Sequence, residues 1–306
     1  MNTFALRRRS LLSGTPLAGA ALCLLTFSTM TFAADLGSPL PSNTPRAGFF
    51  LGLGGSYNSV NFGQDLSAAG ISNVYSGTTL VAFGQAGGPA NPFHDTQSSF
   101  APEAQAGYFQ QFAGSRWLWG VKFKYKYLGV TSTQGNVDSP QTGSFTNTGA
   151  APPDTTFTGN VVIQSSQTRI NHEFDSLAFL GHSFGNSTVY LGAGPALFGT
   201  TTNLYRATGF AAINGVHYDI TGTPADFSSS KLMWGGAAQI GTTYSFDPSW
   251  FLDLNYTYAM TRQYTNNYSG PFASAAAGYT DTGTLFISTS QRVTSQAFAV
   301  SINKVF

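Results

Sequence analysis

The chain is short of three things. It has a single cysteine, Cys23, which excludes an internal disulfide and a thiolate metal cluster. Charged residues make up 9% of its 306 residues, against about 25% in ordinary soluble domains. With a formal net charge of only +1, nothing recommends nucleic acid as a partner. Beyond the N-terminus no segment offers about 20 consecutive apolar residues, so no helix is expected to cross a membrane. Aromatics, at 14%, and glycine, at 35 residues, are plentiful. This composition leaves a secreted all-β protein or a transmembrane barrel, whose strands are apolar only at alternate positions.

The N-terminus narrows the choice. Arg7, Arg8 and Arg9 precede an apolar run from Leu17 to Phe27, and TFAAD places Thr31 and Ala33 before a cut. That is the layout of a secretory signal peptide. Residues 1–33 are therefore expected to be cleaved. Their loss removes Cys23 and the three arginines, taking the formal charge from +1 to −2. Residues 34–47, rich in Pro, Ser and Asn, read as a periplasmic tether, and residues 48–306 as one barrel domain.

Eight alternating stretches follow: GFFLGLGGSY, FAPEAQAGYFQQF, WLWGVKFKYKYLGV, RINHEFDSLAFLGHSF, STVYLGAGPALFG, KLMWGGAAQIGTTYSF, WFLDLNYTYAM and SQAFAVSINKVF. Successive strand residues point to opposite faces. The connections alternate between long polar segments and short turns such as AGS, GN and DPS. An eight-stranded antiparallel up-and-down transmembrane barrel, with short periplasmic turns and long outer loops, produces that rhythm. Asn214-Gly215 is a hairpin signal. It predicts an extracellular hairpin, or, as the variant reading, two further strands and a ten-stranded barrel.

One parity of each strand is apolar and ringed at both ends by aromatics. Trp117, Trp119, Tyr244 and Trp250 sit near the short turns; Tyr127, Trp234, Tyr256 and Tyr258 lie toward the far end. Two such girdles suit the two membrane interfaces. The other parity holds Glu103, Lys122, Lys124, Lys126, Arg169, Glu173, Asp175 and Asp253 at mid-strand depth. Buried charges need partners, so these residues predict an interior network that plugs the lumen. A narrow charge-lined conduit is the competing expectation.

GFFLGLGGSY, SFDPSWFLDLNYTYA and AFAVSINKVF resemble segments of the small outer-membrane β-barrels, OmpA-like and opacity-protein-like, of alphaproteobacteria. The resemblance implies residence in the outer membrane of a Gram-negative bacterium, without a peptidoglycan-binding domain. It also implies delivery by periplasmic chaperones and the barrel-assembly machinery, which would read Phe298, Val300, Ile302 and Phe306. Lys304 departs from the apolar pattern there. Outer-membrane lipid and lipopolysaccharide are the expected surroundings, and the loops could meet a host or environmental ligand. Lys231, Arg262 and Arg292 share a depth at the outer rim and are candidates for lipopolysaccharide phosphate. No enzyme is expected. His182 and Ser183 are adjacent and so point to opposite faces, His172 lacks a serine and an acid, and no histidine has metal-ligand spacing. No cofactor is implied.

Overall fold

The computed structural model describes residues 45–149, 155–213, 216–276 and 278–306. The leader at 1–33, most of the tether at 34–47 and the Asn214-Gly215 turn lie outside the described residues. Eleven strands are present among those described. They are β1 (Ala47–Ser76), β2 (Thr79–Pro89), β3 (Phe93–Gln111), β4 (Trp117–Asn147), β5 (Thr155–Phe184), β6 (Ser187–Ile213), β7 (Val216–Asp219), β8 (Ala225–Asp247), β9 (Trp250–Thr261), β10 (Tyr264–Ala276) and β11 (Tyr279–Val305).

Eight of them close a ring. The order is β1, β3, β4, β5, β6, β8, β9 and β11, every pair antiparallel. The last strand returns to the first from Phe50↔Val305 to Tyr75↔Thr280. Closure leaves no unpaired edge for hydrocarbon to meet. Short turns join β3 to β4, β5 to β6 and β8 to β9 at one end. In the last of these the Ser249 backbone N–H donates to Asp247 and holds its carboxyl below the usual range.

The expected long outer loops are instead mostly strand. β1 runs for 30 residues and β4 for 31, about 100 Å of chain at 3.3 Å per residue. Crossing the hydrocarbon needs only about ten residues. Beyond the end of β3, β2 wedges between β1 and β4; beyond the end of β9, β10 lies on β11. These segments carry Ser, Thr, Asn, Gly and Ala on both faces, so they lack the apolar contrast that betrays a strand. Their backbone ladders hold them all the same. The ten-stranded variant fails: β7 has four residues and pairs with β6 alone, too short to span.

A pair of bulges at mid-height alters the inward parity of β5, while in β4 Lys126, Leu128 and Val130 stay on one buried side. After Tyr127↔His172 the register resumes at Val130↔Ile170, so β4 carries an extra residue against β5. Gly129 absorbs it with φ 60°, the left-handed conformation that a glycine takes without penalty. After His172↔Gly199 the register resumes at Ile170↔Thr200, an extra residue in β5 against β6. Ile170 is consequently buried and Arg169 exposed, the reverse of the expected sides.

The interior is stacked in layers. Next to the short turns Phe50, Phe109, Phe251 and Val305 pack together with Phe179, with Phe50 and Phe251 edge to face at 5.5 Å. The charged residues come next. Above them Val60, Phe62, Leu128, Ile170, Phe198, Met233 and Val293 form an apolar layer. Gln64, Ser166, Thr168, Thr202 and Gln291 then make a polar tier, followed by a second apolar layer around Leu66, Ile163, Leu204 and Ile287. Outside, large exposed apolar side chains crowd the end with the short turns.

Candidate functional site

The three lysines of β4 are held between two neighbouring strands and the far wall. Lys126 stands opposite Glu103 of β3 and Glu173 of β5; Lys124 stands opposite Gln105 and Asp175. Lys126 Nζ lies 2.5 Å from Glu173 Oε1 and 3.6 Å from Asp175 Oδ2. Lys124 Nζ takes Glu103 diagonally, at 3.2 Å. Lys122 Nζ reaches 2.8 Å to Asp253 Oδ2 on β9, the strand opposite β4 in the ring of eight. Seven of the eight expected lumen charges thus come together. Arg169 does not, because the bulge in β5 turns it outward.

Neutral polar groups complete the layer. Lys122 Nζ also donates to Tyr190 Oη at 2.9 Å, and Tyr190 Oη donates to Asp253 Oδ1 at 2.7 Å. Lys124 Nζ donates across the lumen to Asn255 Oδ1 at 3.1 Å and Thr257 Oγ1 at 3.2 Å. Gln105 Nε2 donates to Asp253, Ser301 and Asn303, and Ser295 Oγ to Glu173 Oε2. The sequence reading did not assign Tyr190 to the network. Its signal was its parity, shared with Gly192 and Gly194 on the same strand.

The lysine and carboxylate side chains of the four ion pairs are 0–4% exposed. At that burial each ion depends on its protein partners. Compensation is uneven: the carboxylate oxygens of Glu103 and Asp175 accept no hydrogen bond from a described donor.

On the outer side the aromatic residues stand as their parity requires. Trp117, Trp119, Tyr127, Trp234, Tyr244, Trp250 and Tyr258 are exposed, and Tyr256 is half-exposed. His172 belongs to this face: its Nδ1 lies 3.0 Å from Tyr125 Oη, beside Tyr127 and Phe174. His182 packs edge-on against Trp117 and tilted against Phe184, while Ser183 is buried against Thr188. Phe298, Val300, Ile302 and Phe306 face outward, and Lys304 Nζ lies over the rings of Trp250 and Phe306 at 5.7 and 5.3 Å. Lys231, Arg262 and Arg292 are exposed. They mark the level where β9 ends rather than the rim of the barrel, because β11 continues 13 residues above Arg292. Lys231 Nζ donates to Tyr264 Oη at 2.6 Å.

A closed ring with an ion-paired interior and an apolar exterior is built for lipid. In sequence the chain is similar to outer membrane protein P1 of Coxiella burnetii, 26% identical over 289 residues that cover 94% of this chain and 95% of the relative. The chain is an outer-membrane β-barrel protein. No family model matches it. Two solved structures resemble the barrel loosely. Ail of Yersinia pestis is 13% identical, over 78% of this chain and 98% of that one, with a TM-score of 0.24. OprG of Pseudomonas aeruginosa is 11% identical, over 85% and 99%, with a TM-score of 0.28. At these scores they add nothing to the ring that the strand register already defines.

Proposed function

We propose that this barrel is a non-conducting, surface-exposed structural protein of the outer membrane, and not an enzyme. Its lumen is sealed by the lysine–carboxylate layer, and its tall outer wall is displayed to the surroundings. The carrying observation is the burial of Lys122, Lys124 and Lys126 among Glu103, Glu173, Asp175 and Asp253. Apolar layers on both sides of that plane reinforce the seal. In this reading the eight outward aromatic residues anchor the wall at the two interfaces, and Phe298, Val300, Ile302 and Phe306 serve assembly. Arg262 and Arg292 are left free to meet lipopolysaccharide phosphate, which arginine binds through two parallel hydrogen bonds.

One observation favours the competing conduit. Glu103 and Asp175 are imperfectly paired, and unpaired buried acids invite hydration. Planar-bilayer recording of the refolded barrel separates the two. No sustained current is expected. A steady current whose ion selectivity reverses in Lys124→Glu, with unfolding stability unchanged, would establish the conduit instead.

A further inference from the structure

Above the second apolar layer the outer end of the barrel holds an open-sided cavity of about 310 Å³. Residues of β1, β2, β4, β5, β6, β7, β8, β10 and β11 line it. Its walls are apolar, with Phe145, Phe157 and Phe272 presenting rings and Val161 and Leu285 at its base. The space exists because these rings lie flat on glycines of adjacent strands. A Cβ on Gly143 would come 2.7 Å from the ring of Phe157, and one on Gly283 would come 2.5 Å from that of Phe272. Asp281 is the one charged residue among the described lining residues, and Ser72 Oγ donates to it from β1. Burial pushes the Asp281 carboxyl above its ordinary range, partly offset by that hydrogen bond.

We propose that this chamber binds a small hydrophobic amine, with its apolar body among the phenylalanine rings and its ammonium on Asp281. The size suits a ligand of drug-like dimensions, and an apolar pocket with one convergent polar group fixes orientation as well as affinity. Aromatic faces attract a cation, and Asp281 repels a second carboxylate. The lone acid therefore selects an amine over an alcohol, and an alcohol over an acid of the same shape. The chamber lies above the sealed layer, so this inference does not depend on whether the lumen conducts.

Tryptamine, tryptophol and indole-3-acetate share one ring system and differ in the end group. Their binding to the refolded barrel in detergent micelles can be titrated by calorimetry, with empty micelles as the blank. Tryptamine is expected to bind saturably, and indole-3-acetate at least about tenfold more weakly, as loss of a charge-assisted contact implies. Asp281→Asn should weaken tryptamine about tenfold and leave tryptophol unchanged. Gly70→Ile fills space: a Cβ there meets nothing nearer than 3.9 Å. It should abolish binding of tryptamine and tryptophol alike while the barrel keeps its heat-modifiable migration. Equal binding of all three probes, undiminished tryptamine binding in Asp281→Asn, persistence in folded Gly70→Ile, or no saturable binding beyond empty micelles would each overturn the proposal.

Discussion

Lys126 is the most demanding residue in the molecule. Its ammonium is wholly buried between Glu173 and Asp175. Removing one partner of a buried pair costs about 3–5 kcal/mol because the other charge is stranded. Lys126→Met should therefore lower the unfolding free energy by about that amount, measured by urea titration in lipid vesicles. Replacing Glu173 and Asp175 by Gln and Asn in the same chain should recover most of the loss. A fall of well under 1 kcal/mol would mean that water reaches the layer after all. Sequence alone placed this lysine well. Alternation set it inward, and the short turn between β3 and β4 set Glu103 opposite it. The partner choice was not legible: Lys124, not Lys126, takes Glu103, because Glu173 already occupies Lys126. Nor was the reach of Lys122 to Asp253, 131 residues away, since contacts across a lumen leave no local pattern.

At the scale of the element, the irregularity in β5 decides which residues see the interior, while β4 stays in step through Lys126, Leu128 and Val130. A single extra residue exchanges the two faces of the stretch that follows it. Arg169 was expected inside by unbroken alternation from Glu173 and Asp175, and it stands outside. A mature chain cleaved after Ala33 has no cysteine of its own, so single replacements can be labelled with a membrane-impermeant maleimide. Arg169→Cys in the intact barrel should react readily and Glu173→Cys should not. The opposite ranking would show the register running through without the bulges. Gly129 was visible in the sequence, yet one glycine among 35 carries no mark of its left-handed φ. The second element-scale miss has a different cause. The segments around Gly63 to Ser98 read as loops because their two faces are equally polar, and alternation needs contrast.

For the whole molecule, this changes what projects from the membrane. The outer half is a continuation of the wall, paired along its length from Tyr75↔Thr280 on one strand pair to Phe145↔Thr155 on another. Proteinase K acting on the refolded barrel in micelles should therefore leave protected fragments far longer than the membrane-embedded part. Digestion to strands of about ten residues each would show that the outer wall opens. The tall wall is also what creates the apolar chamber. Loops of the same composition would leave Asp281 in water.

By itself the sequence determined an all-β ring of eight, which residues alternate outward, and an inward set of eight charges of which all but Arg169 meet inside. Each of these follows from periodicity, spacing or composition, which are local and survive without coordinates. The tertiary structure decided how far the strands run and where the parity breaks. It also decided which carboxylate each lysine takes, and that the outer end holds a cavity. These depend on pairing and packing between residues distant in the chain, where the energy of a contact is set by what else surrounds it.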